Sequence, residues 1–311
     1  MDADKKMGLT SHLSTRCNLL PQETGPTRGD SAGSRSLQGG LRKQGYIKRS
    51  AEGKPLVTII TVVFNGASTL EETIRSVLYQ TYDNVEYIII DGGSGDGTVD
   101  IIRAYDDVID YWISGQDNGI YDAMNKGISL ASGMYLHFLN ADDHYLHSGV
   151  LERVVDLFEH TGSQIIVGDA LMLSKQSGSG YIRHSDVNKY YYLFKGMPQQ
   201  AFFYDAALFK TCGFDERYAI AADLDFYLSR LIESNTRIRR VNWPVIVFNT
   251  GATSSNQALL DKERDVIIER YYSRMERILF RNRLFRSLFV KNELQAGRPG
   301  IIDRIVRKIV S

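Results

Sequence analysis

Apolar residues recur along this chain first with the period of a buried strand and then with that of a helix, and the alternation predicts the fold. Leu56 to Phe64 is an almost unbroken β-branched run of the kind buried on both faces of a parallel sheet. Ser68 and Glu71 then have capping-box spacing, and Leu70, Ile74, Val77 and Leu78 recur on one helical face. Val85 to Ile90 predicts a second buried strand, which ends in Asp91 and the glycine-rich turn Gly92 to Thr98, opening a helix at about Val99 to Tyr105. A short strand at Tyr111 to Ser114, a helix from Ile120 to Ala131 with Ile120, Met124, Ile128 and Ala131 on one face, and a strand from Tyr135 to Leu139 follow. Beyond them, Val150 to Phe158 and Ala222 to Ile232 predict helices, and Gln164 to Asp169 and Val241 to Asn249 predict strands. This order predicts an α/β protein with a doubly wound, mixed, mostly parallel sheet flanked by helices, whose ligands gather at the C-terminal ends of the strands. Asn65, Asp91 and Asp142 all fall at such ends. No repeat of fixed period is visible, which excludes solenoids and propellers.

The two ends of the chain read differently. Residues 1–54 are rich in Gly, Ser, Arg and Gln, carry few large apolar groups and predict a disordered extension. Residues 55–258 form the expected catalytic domain, and 259–311 an amphipathic tail. In the tail, Ile267, Tyr271, Met275 and Ile278 share one face, Leu284, Phe285, Leu288 and Phe289 continue it, and Ile301, Ile302, Ile305, Val306 and Ile309 repeat it opposite Arg304, Arg307 and Lys308. Basic amphipathic helices of this kind suit an anionic membrane interface, with docking on the domain or a dimer contact as the competing reading.

Composition and charge narrow the function. The 311 residues are 43% hydrophobic and neutral overall, yet residues 55–260 hold 14 basic against 25 acidic groups and residues 261–311 hold 13 against 7. An acidic core is a poor nucleic-acid surface and a good setting for a metal-dependent site. No apolar run approaches the roughly 18 to 20 residues of a membrane span, and no signal segment is evident, so a cytoplasmic protein, peripheral at most on the inner membrane face, is expected. The two cysteines, Cys17 and Cys212, have neither disulfide nor zinc spacing.

The candidate chemistry starts at Asn140, Ala141, Asp142 and Asp143, where an apolar strand delivers two adjacent carboxylates to its C-terminal edge. Hard divalent ions such as Mg2+ or Mn2+ take oxygen ligands and combine one or two carboxylates with the oxygens of a bound phosphate, so a diphosphate is the natural third party. An ordinary solvated turn is the competing reading for this pair, and again for Asp91. The turn after Asp91 lacks the G-x-G-x-x-G order of a dinucleotide fold. The six histidines form no metal-ligand array, and the partial hydrolase-like echo at Ser177 to Gly180 has the wrong spacing.

Four motifs in this order resemble the family 2 glycosyltransferases with the GT-A fold: Val57 to Phe64 with Asn65; Ile88 to Thr98; Asp117 to Gly133; and Leu139 to Asp143, which is similar to the DxD region. The likeness covers roughly residues 55 to 255, and within the family it resembles bacterial transferases that build colanic acid, other surface polysaccharides or glycolipids. The resemblance implies an inverting, metal-dependent transfer of a sugar from a nucleotide-diphosphate donor to a hydroxyl of a glycan or lipid-linked acceptor. It implies that Thr61, Val63 and Asp91 contact the base and ribose, that Asn65 belongs to the nucleotide-binding start, and that Lys126 approaches the diphosphate. Asp142 is the implied metal ligand, with Asp143 assisting it or holding the loop, and Asn140 stands where many members have the first Asp. Asp223, in Ala222 to Phe226, is the implied base, with Asp225 as competitor and Ala222 in place of an acidic residue. Gln200, in a segment where Gln199 replaces the usual His, and the loop Gly251 to Ser255 are weaker site candidates. A nucleotidyltransferase and an inactive glycan- or nucleotide-binding module are the alternatives. The former requires a phosphate-cradling basic loop after the first strand, where Phe64 to Ala67 is short and uncharged.

Overall fold

A computed structural model describes residues 36–174, 177–234, 236–250 and 256–281. The chain divides into two compact units: the described residues within 1–185, 198–219 and 236–253 form the first, and those within 186–197, 220–235 and 254–311 the second.

The first unit is built on one mixed sheet. Its strands are β1 (Leu37–Gly39), β2 (Val57–Val63), β3 (Val85–Asp91), β4 (Tyr111–Ser114), β5 (Tyr135–Phe138), β6 (His144–Tyr145), β7 (Ile165–Ser174), β8 (Gly180–Arg183), β9 (Phe202–Asp205) and β10 (Ile238–Thr250). Their order across the sheet is β1-β4-β3-β2-β5-β9-β7-β10-β6, with β8 also paired to β7. The run β4-β3-β2-β5 is parallel, as is the pair β7 and β10. Every residue of β2 and β3 is buried, which is why both read as continuous apolar runs rather than alternating ones.

Helices α1 (Leu70–Leu78), α2 (Thr98–Ala104), α3 (Ile120–Leu130) and α4 (Val150–Thr161) belong to this unit. In α1, Leu70, Ile74 and Val77 are buried as the pattern predicts, but Leu78 is exposed. The Ser68 capping box does not form: Thr69 is the N-cap and makes no side-chain bond to the helix. Glu71 is drawn instead to Arg75 at 2.6 Å and the Tyr105 hydroxyl at 2.9 Å. In α3 the buried face is Tyr121, Ala123, Met124, Gly127 and Ile128, whereas Ile120 is exposed. Gly127 is required there, since a Cβ would sit 2.4 Å from Cγ2 of Ile60 on β2.

Residues 36–54, expected to belong to a disordered extension, include a strand and a short 3-10 helix. Strand β1 pairs antiparallel with β4. Arg42 bonds the carboxylate of Glu86, a buried side chain that also accepts from the Thr58 hydroxyl at 2.5 Å and from Ser132 N at 2.8 Å. Lys48 Nζ lies 2.9 Å from Oδ2 of Asp110, likewise buried. A segment without an apolar pattern is therefore ordered by two basic side chains reaching buried acids.

The second unit contains α5 (Tyr191–Lys195), α6 (Ala222–Glu233), α7 (Gln257–Tyr271) and α8 (Arg274–Arg281). Helix α7, which spans the expected start of a tail at residue 259, belongs to the same unit as α6: Glu263 accepts from Ile220 N at 3.0 Å and Ala221 N at 2.9 Å, the two residues that precede α6. The expected face through Ile267, Tyr271, Met275 and Ile278 is broken between α7 and α8, leaving Ile267 buried and Met275 and Ile278 exposed. The apolar positions from Leu284 onward and the loop Gly251 to Ser255 lie outside the described residues. No helix among the described residues is long and apolar enough to cross a membrane.

Candidate active site

Strand register brings the chemistry-bearing positions of the first unit to one edge. Val63 pairs with Asp91 and Asp91 with Ser114, so β2, β3 and β4 end side by side, while β5 ends at Phe138 opposite Ile60, before the end of β2 at Val63. Parallel α/β sheets collect ligands at that edge because the loops leaving it carry unpaired backbone groups and free side chains.

The loops after β2 and β3 are bonded to each other. Asn65 has φ 51°, a left-handed backbone, and its amide oxygen accepts from Gly95 N at 3.0 Å while its own N–H donates to Ser94 Oγ at 2.7 Å. Gly66 N donates to Thr98 Oγ1 at 2.9 Å and Ala67 N to Asp96 Oδ2 at 3.0 Å. The Thr98 hydroxyl bond, and after it the Ala67 N–H, hold the Asp96 carboxyl below its usual range. Asp91 organises the turn itself: Oδ2 accepts from Gly93 N at 3.1 Å, Ser94 N at 3.0 Å and Ser114 Oγ at 2.6 Å, and Oδ1 bonds Ser94 Oγ. Phe64, 67% exposed, stands on this edge near Gly92, where a Cβ would lie 2.5 Å from Asp117 Oδ2.

The structure places three expected nucleotide contacts as follows. Thr61 is fully buried with its hydroxyl 3.1 Å from Tyr87 Oη, so its side chain serves the core. Val63 is buried at the strand end. Lys126 Nζ is held 3.0 Å from Asp122 Oδ2, one turn back on α3, and Asp122 also accepts from Asn118 N at 2.8 Å. The neighbouring Asn125 latches α3 to a later segment, accepting from Phe214 N at 2.8 Å and donating to Phe214 O at 2.9 Å.

The acidic turn lies beyond the end of β5. Asp143 N donates to Asn140 O at 3.1 Å, which closes a turn over 140–143. Asp143 is 1% exposed; its Oδ1 accepts from Asn249 N at 2.9 Å and its carbonyl from Thr73 Oγ1 at 2.7 Å, so it holds the loop. Asp142 is half-buried, and its carbonyl accepts from the Asn249 amide nitrogen. Within the core beneath, His137 is fixed as the Nε2–H tautomer, since Nε2 faces the Gln200 carbonyl at 2.8 Å and Nδ1 accepts from Tyr145 Oη at 2.6 Å. Gln199 and Gln200 are buried, so the expected exposure of Gln200 to a ligand is not supported by its placement.

Among the described residues, no three His, Cys, Asp or Glu side chains gather to hold a metal by themselves. A hard cation held by Asp142 would need further oxygens, and the buried Oδ1 atoms of Asn140 and Asn249 have no hydrogen-bond partner. The donor set therefore fits a divalent ion that shares its shell with a substrate phosphate.

In the second unit Asp223 and Asp225 stand in the first turn of α6. Asp225 is buried and paired with Arg270, whereas Asp223 is half-buried, with Oδ1 accepting from Leu224 N at 2.8 Å. Glu263 brings a carboxylate to the N–H groups of Ile220 and Ala221, just before the helix. Neither Glu263 nor Asn249 is legible in the sequence as a hydrogen-bond partner of these turns, because each bonds across a long chain separation.

The profile of glycosyl transferase family 2 matches residues 58–214, half of the chain. The chain belongs to this family. A PGL/p-HBAD biosynthesis glycosyltransferase of Mycobacterium bovis (strain BCG / Pasteur 1173P2) is 34% identical over 215 residues, covering 67% of this chain and 82% of that one. The family 2 chain is also similar in fold to S. aureus TarS 1–349 in complex with UDP-GlcNAc, with TM-score 0.54 at 16% identity, covering 68% of this chain and 66% of that one. It is likewise similar to the mannosyltransferase PcManGT from Pyrobaculum calidifontis in complex with GDP-Man and Mn2+, with TM-score 0.50 at 16% identity, covering 72% and 66%. The chain thus spans just under two thirds of each of these solved structures. The fold is that of a GT-A glycosyltransferase, as the order of motifs implies.

Proposed function

We propose that this glycosyltransferase moves a sugar from a nucleotide-diphosphate donor to a hydroxyl of a lipid-linked or glycan acceptor, with inversion and with a divalent cation. The observation that carries the reading is the placement of a half-buried carboxylate, Asp142, in the turn over 140–143 just beyond the end of β5, in a chain of this family. Mg2+ or Mn2+ held by Asp142 would offset the charge that develops on the diphosphate leaving group. The Asp91 turn, bonded to the loop of Asn65, is a rigid edge suited to the base and ribose, with Val63 and Asn65 beside it. Asp223 takes the acceptor proton as the new C–O bond forms, in a single displacement. The choice of Asp223 over Asp225 rests on the Arg270 pair that occupies the latter.

The solved neighbours bound to UDP-GlcNAc and to GDP-Man with Mn2+ support a nucleotide-sugar donor and a metal. The relative named for PGL/p-HBAD biosynthesis supports a glycolipid-type acceptor. A nucleotidyltransferase is disfavoured by the loop after β2, whose Gly66 and Ala67 N–H groups are already given to Thr98 and Asp96 rather than offered to a phosphate. The basic sequence beyond residue 281 supports peripheral contact with an anionic membrane on the cytoplasmic side, through charge and periodicity alone.

Turnover of nucleotide sugars tests the reading. Asp223→Asn should lower transfer by about 100-fold or more while donor binding persists. Asp142→Ala should remove the metal-dependent part of donor binding. Retained turnover in the first variant, or unchanged metal dependence in the second, would remove the corresponding role.

A further inference from the structure

Between α4 and the first half of β10, within the first unit, lies a cavity of about 680 Å3. That size suits a small-molecule site. Strand β10 is irregular there: its register against β7 shifts between Arg240 and Pro244 and again between Pro244 and Ile246, leaving Asn242 and Trp243 without partners on β7. Gly168 accommodates the irregularity, since a Cβ on it would lie 2.4 Å from Cγ1 of Val245. Bulges of this kind re-aim side chains, and this one sets Trp243 in the cavity wall beside Arg153 of α4, whose Cζ lies 3.9 Å from the indole ring centroid.

The charges in the wall do not cancel. Arg153, Arg239 and Arg240 line the cavity together with Glu152 and Asp156. Both acids are engaged elsewhere, Glu152 Oε2 accepting from Thr81 Oγ1 at 2.9 Å and Asp156 Oδ1 lying 3.1 Å from His160 Nδ1. Arg153 and Arg239 are exposed and form no ion pair among the described residues, and Arg240 reaches a carboxylate, that of Asp169, only at 3.5 Å. Guanidinium groups in this state offer forked donors to an oxyanion, and the half-buried indole beside them offers apolar surface to the ring that carries it.

We propose that this cavity binds an acidic sugar, a saccharide ring bearing a carboxylate or a phosphate, with Arg153 and Arg239 on the anion and Trp243 against the ring. The choice of a saccharide rests on the glycan-acceptor reading above. Asn249, which bonds the acidic turn, stands six residues beyond Trp243 on β10, about 20 Å of strand. An acceptor gripped here is held away from the reacting atoms, and the grip raises its effective concentration at the transfer site.

The test titrates glucuronic acid, glucose 6-phosphate, glucose and inorganic phosphate separately into the full-length, 15N-labelled protein. The chain has two tryptophans, whose indole N–H signals report apart: Trp243 lines the cavity, while Trp112 is buried with Nε1 donating to Asp106 at 2.6 Å and serves as the internal control. Trp243→Phe assigns the two signals. At least one of the acidic sugars should shift the Trp243 signal at millimolar concentration, with glucose and inorganic phosphate each weaker by about tenfold. Arg153→Ala and Arg239→Ala should each weaken the acidic sugar by about tenfold at an unchanged melting temperature. Arg239→Ala should also leave any rise in melting temperature given by nucleotide and Mn2+ as in the parent. No Trp243 shift with either acidic sugar, a shift as strong with glucose or inorganic phosphate, or binding indifferent to both arginines overturns the proposal. If no nucleotide raises the melting temperature while the arginine-dependent Trp243 shift is present, the transfer reading falls and the acidic-sugar site stands.

Discussion

Nη1 of Arg270 donates to Oδ1 of Asp225 at 2.6 Å, and this contact separates two carboxylates that lie two residues apart in the first turn of α6. Both partners are largely shielded from solvent, so the pair contributes through removal of an otherwise uncompensated buried charge. Asp225→Asn should therefore lower the free energy of unfolding by about 3 kcal/mol, read from urea midpoints. Asp223→Asn, at a half-buried position, should change it by less than about 1 kcal/mol. Equal effects on stability would mean that the helix start does not distinguish the two acids.

Arg42 and Glu86 give a second, independent stability test. Glu86 is buried between the Thr58 hydroxyl and Ser132, and Arg42 is the charge that reaches it from the N-terminal segment. Arg42→Ala should cost about 3 kcal/mol by leaving the carboxylate unpaired. Adding Glu86→Gln should recover much of that loss, because the unpaired charge is then gone. Urea midpoints of the two single variants and the double variant measure the coupling, and additive losses would show that the two side chains are not linked.

These two contacts also mark where the sequence stops being legible. The parallel run β4-β3-β2-β5 is visible in advance because β2 and β3, buried on both faces, are mostly apolar, and the carboxylates or amides at the strand ends then stand out. Residues 36–54 read as disordered because their order comes from Glu86 and Asp110, acids that look like ordinary strand and loop residues until the sheet is assembled. The Ser68 cap fails for the converse reason, since Glu71 finds Arg75 and Tyr105 instead. Asn249 reads as one more strand residue; its part in the acidic turn depends on a bond to Asp142 across 107 positions. Asp142 and Asp143 are legible as carboxylates just beyond a strand end, but only burial assigns the second residue to the loop.

Acid stability should fall in two windows with different owners. Burial, opposed by the Gln200 carbonyl, pushes the His137 imidazole down from 6.5 to about 4. Between those values the unfolded chain binds a proton that the folded state excludes, so stability declines as pH drops from 6.5 to about 4. Burial would raise Glu276, but Lys189, Tyr190 and Ser273 outweigh it and hold the carboxyl at about 2, against 4.5 ordinarily. Its contribution is present above pH 4.5 and is lost as pH falls toward about 2. Urea midpoints across pH should show His137→Phe flattening the upper window and Glu276→Gln the lower. A flattening of the same window by both variants would overturn the assignment.

Donor identity is the last quantity, and ligand linkage can read it without knowledge of the acceptor. A ligand bound only by the folded protein adds RT ln(1 + [L]/Kd), about 2.7 kcal/mol at a hundredfold excess over Kd, which for a chain of this size is a rise of a few degrees in Tm. UDP, GDP and dTDP sugars, each with and without Mn2+, should divide sharply: one nucleotide class raises Tm, and does so only with Mn2+, because a single ligating carboxylate at Asp142 leaves much of the ion's shell to the diphosphate. Asp142→Ala should abolish that increment while leaving the Tm of the unliganded protein within a few degrees of the parent. Sugar-free diphosphates should retain most of the effect, since in the proposed arrangement the metal and the Asp91 turn meet the nucleotide end of the donor. If no nucleotide shifts Tm in either condition, both the donor class and the cation lose their support. If a nucleotide acts equally with and without Mn2+, the Asp91 and Asn65 edge binds the donor by itself and the cation is dispensable for binding.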